Sequence, residues 1–232
     1  MKEEPQYNEV YYQNTTSHSQ IMDVVEGNSL ALKNLHAPIE WHQIFGNAQP
    51  IEIEIGFGKG RFLLETSKEN PQKNYIGVER AQKYVLITRD RFVKYLQHND
   101  ISRDIGLFEN VRLVWTDANF FISRYVPDET VHAYHIYFPD PWPKARQQKR
   151  RIFRNNEFLE AITNTLIAEI GKLYIATDSA EYFYEIQERL AHYTQLEPAT
   201  SEESEYTHIT TNFERKYMNE GRNIYRSVHR KS

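Results

Sequence analysis

Two stretches of the sequence bring together residue types that bind and orient a ligand. The stretch EIGFGKG, Glu54 to Gly60, sets a carboxylate before three glycines, which permit tight turns and let a ligand approach the backbone. The stretch YFPDPWPKARQQKRRIF, Tyr137 to Phe153, sets Asp140 in a proline-stiffened turn and follows it with basic residues. The first stretch is typical of a ligand-binding loop. The second predicts a polyanion-binding surface beside an oriented carboxylate.

The carboxylates around the glycine loop restrict the ligand. Glu79 ends a predicted strand 23 residues after Gly56, where it can accept hydrogen bonds from two ribose hydroxyls. Glu54 precedes the glycines, where a negative charge repels a pyrophosphate but forms charge-assisted hydrogen bonds with an amine. S-adenosylmethionine carries a sulfonium, an ammonium and no phosphate, so this charge pattern favours it over NAD. A glycine loop taken alone also fits an ordinary strand-to-helix turn.

Short β-branched and aromatic runs alternate with helix-length segments, which predicts an α/β fold with right-handed crossovers and a mostly parallel sheet. The predicted strands are residues 51–55, 74–79, 111–117, 133–138 and 172–178. The predicted helices are residues 60–69, 82–99, 118–125, 155–170 and 180–192. After Thr194, the runs ITTNFERKYMNEG and NIYRSVHR are expected to supply closing strands around a loop.

Acidic residues mark one edge of this predicted sheet. They stand at or just after the ends of four predicted strands: Glu79, Asp117, Asp140 and Asp178. Ligands of open parallel sheets bind beyond the carboxyl ends of the strands, so a shared site is expected there. Helix N-capping is the alternative for Asp117 or Asp178 taken individually.

Length and composition predict one α/β domain, residues 31–232, preceded by a flexible leader, residues 1–30. No run approaches the roughly 18 apolar residues of a membrane span, and the start MKEEPQYNEV is too acidic for a signal peptide. The sequence has no cysteine, which excludes disulfides, a thiol nucleophile and cysteine-ligated metals. We expect a cytoplasmic protein without a metal. The sequence leaves open whether it is a monomer or a homodimer.

The charge distribution is uneven. Residues 1–50 carry two basic and six acidic side chains and so account for the whole net charge of −4. Residues 144–154 hold six cations and no acid, and residues 215–231 hold six cations against Glu220. Two basic patches on a neutral body favour a polyanion bound at one face. Two solvated charge runs are the alternative.

The glycine loop and its carboxylates resemble the class I S-adenosylmethionine-dependent methyltransferases. Glu54 to Gly60 is similar to their first motif and Glu79 to their second acidic position, while TDA, Thr116 to Ala118, resembles the adenine-binding third motif. The resemblance implies a Rossmann-like, seven-stranded sheet with one antiparallel strand and helices on both faces. S-adenosyl-L-methionine is the implied cofactor.

The second stretch narrows the resemblance. FPDPWPKARQQKRR is similar to the signature of the bacterial tRNA (guanine-N7)-methyltransferases, usually P-D-P-W-x-K-x-R-H-x-K-R-R, and ATD (176–178) and TNFE (211–214) match two later motifs. The resemblance runs from about residue 50 to the C-terminus. It implies tRNA as partner and methylation of guanosine 46 at N7 by in-line displacement without a metal. Gln147 departs from the usual histidine, and the acidic leader is unlike the basic N-terminal segment of relatives.

Residue roles follow from these motifs and the resemblance. The expected catalytic residue is Asp140, which orients the base or faces the cofactor and does not act as a general base. Trp142 either stacks on the base or braces the turn. Asp178 alone also fits a helix cap, and Thr211 alone also fits a turn.

The expected cofactor-binding residues are Glu54, Gly56, Gly58, Gly60, Glu79, Asp117, Ala118 and Asp140. The expected substrate-binding residues are Lys144, Asp178, Thr211, Asn212, Phe213 and Glu214, and the expected tRNA-backbone contacts are Arg146, Lys149, Arg150, Arg151 and Arg154.

Three other functions remain open at this point. One is a methyltransferase that acts on another RNA base or on a small basic molecule. Another is a tRNA-binding module without turnover, which requires a damaged cofactor loop, whereas the glycines and Glu54 are present. The last is a nicotinamide-dependent dehydrogenase, which leaves the basic run after Asp140 unexplained.

Overall fold

A computed structural model describes residues 37–98, 108–200, 206 and 209–232. The predicted leader, residues 1–30, lies outside the described residues. The strands are β1 (Ile51–Ile55), β2 (Asn74–Glu79), β3 (Val111–Trp115), β4 (Val131–Tyr137), β5 (Lys172–Thr177), β6 (Leu196–Ala199) and β7 (Tyr225–Lys231). The α-helices are α1 (Trp41–Phe45), α2 (Arg61–Glu69), α3 (Gln82–His98), α4 (Ala118–Tyr125), α5 (Asn156–Thr165), α6 (Ala180–Leu190) and α7 (Asn212–Asn219).

The seven strands form one sheet in the order β3-β2-β1-β4-β5-β7-β6. Strand β7 is antiparallel to both β5 and β6, and the pairs among the first five strands are parallel. This arrangement confirms the predicted α/β fold with one antiparallel strand. The order reverses between β1 and β4, where an open parallel sheet forms a crevice at the carboxyl ends of its strands.

Helices cover both faces of the sheet. Strand β1 is buried along its whole length, as expected for a central strand with helices on both sides. On one face, Ile53 and Ile76 pack with Phe121 of α4, Phe158 of α5 and Ile186 of α6. On the other face, side chains of α2 and α3 pack against β2 and β3. Each fully buried aliphatic or aromatic side chain contributes roughly 1.5–3 kcal/mol, so these layers hold the carboxyl edge of the sheet in place.

The prediction of a closing strand in ITTNFERKYMNEG is wrong, because residues Asn212–Asn219 form helix α7. The Thr211 side chain caps this helix by accepting a hydrogen bond from the backbone N–H of Glu214 at 3.0 Å. A Thr-x-x-Glu pair is a local helix-start signal that overrides the strand preference of the preceding residues. NIYRSVHR supplies a closing strand as predicted, with β7 beginning at Tyr225.

The turn after β4 has an unusual backbone. Phe138 and Trp142 have positive φ angles of 53° and 40°, which non-glycine residues seldom adopt. Such residues cost of order 1–3 kcal/mol each and persist where the surroundings fix them. Here the Phe138 N–H donates to Ala176 O at 2.7 Å and Arg151 Nε donates to Pro141 O at 2.7 Å. The turn that carries Asp140 is therefore tied down on both sides.

None of the described helices is long and apolar enough to cross a membrane.

Candidate methyl-donor and nucleic-acid site

The glycine loop lies between β1 and α2 and is shaped by left-handed backbone. Gly56, Gly58 and Gly60 have φ angles of 73°, 53° and 63°. A Cβ at Gly60 would lie 2.1 Å from Thr88 Cγ2, so only glycine allows the loop to pack against α3. The Gly58 N–H donates to Glu79 Oε2 at 3.0 Å, which fixes the loop to the end of β2. Glu79 thus lies beside the glycines, as predicted.

Glu54 is a buried carboxyl group at this end of the sheet. Its side chain is 3% exposed, and its Oε2 has no hydrogen-bond partner among the described residues. Burial raises the pKa of Glu54 well above its ordinary value, the charge of Glu79 raises it further, and a hydrogen bond with the Leu63 backbone lowers it. A buried carboxylate oxygen without a donor is costly unless a ligand supplies one. In its ionised form Glu54 can therefore serve as an acceptor for a cationic group, whose charge would offset that of the carboxylate.

A cavity of about 110 Å³ lies next to Glu54. The glycine loop forms one wall and α7 another, through Thr211, Asn212 and Phe213. The sequence predicted these three residues for the substrate and Glu54 for the cofactor, and the structure places them around one space. The cavity is also lined by residues that were not predicted: Phe57, Lys59, Arg61, Phe62, Tyr84, Tyr137 and Lys216. Tyr137 directly precedes the Phe-Pro-Asp-Pro-Trp motif, which was the available signal for it.

Asp117 and Ala118 lie at the end of β3, where α4 begins. The Asp117 side chain caps α4 by accepting a hydrogen bond from the Phe120 N–H at 3.2 Å. The helix-cap role considered for Asp117 is therefore present in the structure. Ser179, and not Asp178, caps α6.

Asp140 and Asp178 lie around the same tyrosine. Burial raises the pKa of Tyr217, the charge of Asp178 adds to this increase, and Asp140 contributes as well. Asp140 is exposed, whereas Asp178 accepts a hydrogen bond from Arg222 Nη1 at 2.8 Å. The Arg222 guanidinium carbon lies 4.6 Å from the centre of the Tyr217 ring. This arrangement brings Asp140, the expected catalytic residue, and Asp178, an expected substrate residue, to the same side of α7.

Glu214 has a different environment from the other predicted substrate residues. It is 6% exposed and forms an ion pair with Arg226 of β7. That contact fixes α7 to the antiparallel strand, so Glu214 supports the cavity wall that Thr211 and Phe213 form.

The basic run after Asp140 divides into exposed and buried cations. Residues Ala145–Arg150 form a short 3₁₀-helix. Its cations and Lys144 are exposed, and none of them has an ion pair with a described carboxylate. The Arg150 guanidinium lies 5.1 Å from the centre of the half-buried Trp142 ring. The exposed set is Lys144, Arg146, Lys149 and Arg150.

The prediction that Arg151 contacts the tRNA backbone is wrong for this conformation. Its side chain is 0% exposed, and its two terminal nitrogens donate to both oxygens of Glu181 at 2.8 Å. It also pairs with Glu185, which holds the half-buried Arg154 too. These contacts use the donors of Arg151 inside the protein, so the residue joins the Asp140 turn to α6. Arg154 also pairs with Glu185, so part of its side chain belongs to the same cluster.

Electrostatics and shape together define what the site can hold. A carboxylate acceptor at Glu54, glycines that admit a ligand to the backbone and Glu79 at the loop fit a ligand with an amine and a ribose. The described residues contain no group of three or more His, Asp or Glu side chains arranged to hold a metal ion. The exposed cations beside Asp140 fit a polyanion.

The sheet order, the glycine loop and the buried Glu54 define a class I methyltransferase. A solved structure with this fold is the 16S rRNA methyltransferase KamB, which has a TM-score of 0.57 and 13% identity and covers 83% of this chain and 93% of that chain. At this identity the likeness shows the fold alone.

Sequence comparisons give the family. The family described as "Putative methyltransferase" matches residues 48–227. The tRNA (guanine-N(7)-)-methyltransferase of Geobacter metallireducens is 33% identical over 85% of this chain and 90% of its own length. That of Thermotoga maritima is 32% identical over 84% of this chain and 58% of its own length, so this chain spans little more than half of the Thermotoga protein. The chain belongs to the tRNA (guanine-N7)-methyltransferase family.

Proposed function

We propose that the protein transfers the methyl group of S-adenosylmethionine to N7 of guanosine 46 in the variable loop of tRNA. Support for the tRNA and for N7 comes from the relatives named tRNA (guanine-N(7)-)-methyltransferase. The structural observation that carries the proposal is the buried, unpartnered Glu54 oxygen at the edge of a cavity that the predicted substrate residues also line. Position 46 follows from the resemblance of the motifs.

S-adenosylmethionine supplies an activated methyl group on a sulfonium. Guanine N7 is a lone-pair acceptor, so no proton has to be removed before it attacks this carbon. Residues of the chain therefore contribute by holding donor and base in line, which converts a bimolecular step into an effectively unimolecular one. No general base is required, and none is assigned.

The carboxyl edge divides these tasks among its residues. Glu54 accepts hydrogen bonds from the ammonium of the methyl donor, and Glu79 accepts them from its ribose. Asp140 orients the guanine through its N1–H and N2–H or faces the ammonium of the donor. In both cases Asp140 acts through its negative charge and its position. The structure places it on the surface near Tyr217.

The exposed cations bind the tRNA backbone. Arg146, Lys149 and Arg150 stand on one short helix directly after the Asp140 turn, and Lys144 immediately precedes that helix. Phosphate contacts by such residues position a nucleic acid without reading its sequence. We therefore assign the choice of guanosine to the cavity wall and the orientation of the tRNA to these cations.

The test is a methylation assay with purified protein, S-adenosylmethionine and unmodified tRNA transcript. Nucleoside mass spectrometry should detect 7-methylguanosine, and a transcript with adenosine in place of guanosine 46 should yield none. A different methylated nucleoside would support action on another base, and no methylated nucleoside at all would overturn the proposal. Methylation of the altered transcript would overturn position 46 alone.

A further inference from the structure

A buried chain of polar side chains lies behind the candidate cavity. Glu52 of β1 is 3% exposed, and its Oε1 lies 3.0 Å from Lys73 Nζ. Its Oε2 lies 2.9 Å from His135 Nε2. The Tyr206 hydroxyl lies 2.8 Å and 2.7 Å from the two oxygens of Glu52 and donates its one proton to this carboxylate. His135 Nδ1 in turn lies 2.9 Å from the hydroxyl of Tyr137 at the end of β4. A continuous set of hydrogen bonds thus joins Lys73 to Tyr137.

The charge of Glu52 determines the direction of these hydrogen bonds. Burial acts to raise the pKa of Glu52, but the hydrogen bonds from His135 and Tyr206 and the charge of Lys73 lower it below its ordinary value. An ionised carboxylate only accepts hydrogen bonds, so His135 carries a proton on Nε2. In a neutral imidazole with that proton, Nδ1 is a lone pair. With His135 neutral, the Tyr137 hydroxyl donates to its Nδ1 at 2.9 Å.

This direction leaves Tyr137 as an acceptor toward the cavity. Tyr137 and Glu54 line the same cavity. Burial is the main cause that raises the pKa of Tyr137, and the charge of Glu54 raises it further. The hydroxyl therefore keeps its proton. Because that proton is directed to His135, it is withheld from Glu54, whose Oε2 has no donor in the part of the chain that is described. Two acceptors then border the cavity.

We propose that the Tyr137 oxygen accepts a hydrogen bond from the α-ammonium of S-adenosylmethionine beside Glu54, and that Glu52, through a neutral His135 protonated on Nε2, keeps the tyrosine in this acceptor state. An ammonium has three donors and no acceptor, so it requires several acceptors when it is buried. Tyr137 is then a cofactor-binding residue, and Glu52 and His135 are positioning residues. This inference rests on the proposed function only for the identity of the ligand.

Calorimetry on the full chain tests the role of Tyr137. Three ligands are compared: S-adenosylmethionine, S-adenosylhomocysteine and methylthioadenosine, of which only the last lacks the ammonium. Tyr137→Phe should weaken the first two equally, by about 10-fold for a hydrogen bond to a charged group, and leave the third unchanged. Tyr134→Phe is the matched control, because its hydroxyl bonds Thr165 at 2.7 Å on the opposite face of the sheet. It should bind all three ligands as the wild type does.

Glu52→Gln tests the relay. Lys73 lies next to Oε1 and should retain the carbonyl oxygen there, so the new amide group faces His135. An amide donor at Nε2 moves the imidazole proton to Nδ1, which turns the Tyr137 O–H toward the cavity as a donor. We expect this variant to lose at least as much affinity for S-adenosylmethionine as Tyr137→Phe does. The double variant should bind no more weakly than Tyr137→Phe alone.

The possible results separate this inference from the proposed function. If the wild type binds the two ammonium-bearing ligands and Tyr137→Phe binds them equally well, the assignment of Tyr137 is wrong. An equal loss for methylthioadenosine, or a loss confined to S-adenosylmethionine, overturns the ammonium contact. Additive losses in the double variant overturn the relay. Failure of the wild type to bind any of the three overturns the proposed function itself and this assignment with it.

Discussion

Glu52 and Glu54 stand two residues apart on β1, and their surroundings shift their pKa values in opposite directions. Both are buried, but Glu52 has His135, Lys73 and Tyr206 as partners, and its pKa falls to about 2. Glu54 faces the charge of Glu79, and its pKa rises well above the ordinary value. The same side chain on the same strand is therefore a structural anion in one place and the proposed ligand acceptor in the other.

Glu54→Gln should stabilise the protein without ligand. A group whose folded pKa is raised contributes stability that is fully present below its unfolded pKa, about 4.5, and lost as the pH rises through the folded value. At pH 8 the variant should therefore be more stable by about 1–3 kcal/mol, the typical cost of an unsatisfied buried group. The difference should vanish toward pH 4.5.

Urea unfolding between pH 4.5 and pH 8 measures this effect, and calorimetry on the same samples should show at least a 10-fold loss of affinity for S-adenosylmethionine. A variant that is less stable than the wild type at pH 8 would show that Glu54 has a donor in the free protein.

Asp140→Asn should lower turnover with little effect on folding. Asp140 is exposed, so its replacement by an isosteric amide removes only the charge and one acceptor. Loss of one preorganised electrostatic contact typically reduces kcat by about 10²–10³. Single-turnover methylation of tRNA measures the rate, and the melting temperature should match the wild type. Turnover within 10-fold of the wild type would exclude the orienting role assigned here.

At the scale of elements, Arg151 connects two parts of the molecule that are distant in sequence. It donates to Pro141 O within the Asp140 turn and to Glu181 and Glu185 on α6. The adjacent Arg150 is exposed. Cations in one run look equivalent in sequence, and the backbone that follows the 3₁₀-helix Ala145–Arg150 decides which side chain turns inward. Arg151 therefore braces the fold, whereas Arg150 stays available at the surface.

Arg151→Ala should destabilise the protein, whereas Arg150→Ala should not. Removing one member of a buried ion pair costs about 3–5 kcal/mol; because Glu181 is 62% exposed, we expect about 2–3 kcal/mol here. Urea unfolding measures the loss, with Arg150→Ala as the matched control on the neighbouring residue. Equal stability of the two variants would contradict the bracing role of Arg151.

Helix α7 illustrates a second element that sequence patterns misassigned. Its preceding residues, Ile209 to Thr211, are β-branched and favour a strand. The Thr211 cap begins a helix instead, and the Glu214–Arg226 pair fixes that helix against β7. This placement brings Phe213 to the glycine loop, where a Cβ at Gly58 would lie 3.8 Å from its ring.

At the scale of the whole molecule, a net charge of −4 is compatible with binding to a polyanion because the cations are concentrated. The exposed cations occupy the edge of the sheet that also carries Asp140 and the cavity. Local potential, and not net charge, steers a charged partner to such an edge.

The salt dependence of tRNA binding should follow these cations. Each phosphate contact contributes roughly 0.7–0.9 to the slope of log K against log salt. Lys149→Ala/Arg150→Ala should therefore weaken binding and flatten that slope by roughly 1.5. Filter binding from 50 to 250 mM salt measures it, and Arg124→Ala, at the far end of α4, should leave the slope unchanged. An unchanged slope in the double variant would mean that the patch is not the binding surface.

The sequence by itself determined the order of elements and the chemistry of the loop. Periodicity and glycine positions are local properties, so five strands, most of the helices and the Glu54–Gly60 turn were predicted close to their observed bounds. The helix predicted over residues 155–170 ends earlier, at Thr165. The family motifs likewise occur in short continuous stretches.

Only the tertiary structure decided which of these side chains are buried and which partners they have. Arg151 meets Glu181 across 30 residues, and Glu52 meets Tyr206 across 154. The direction of a hydrogen bond or the loss of a cation from the surface depends on such distant neighbours. Charge and spacing along the chain do not contain that information, because burial arises only when separate elements pack together.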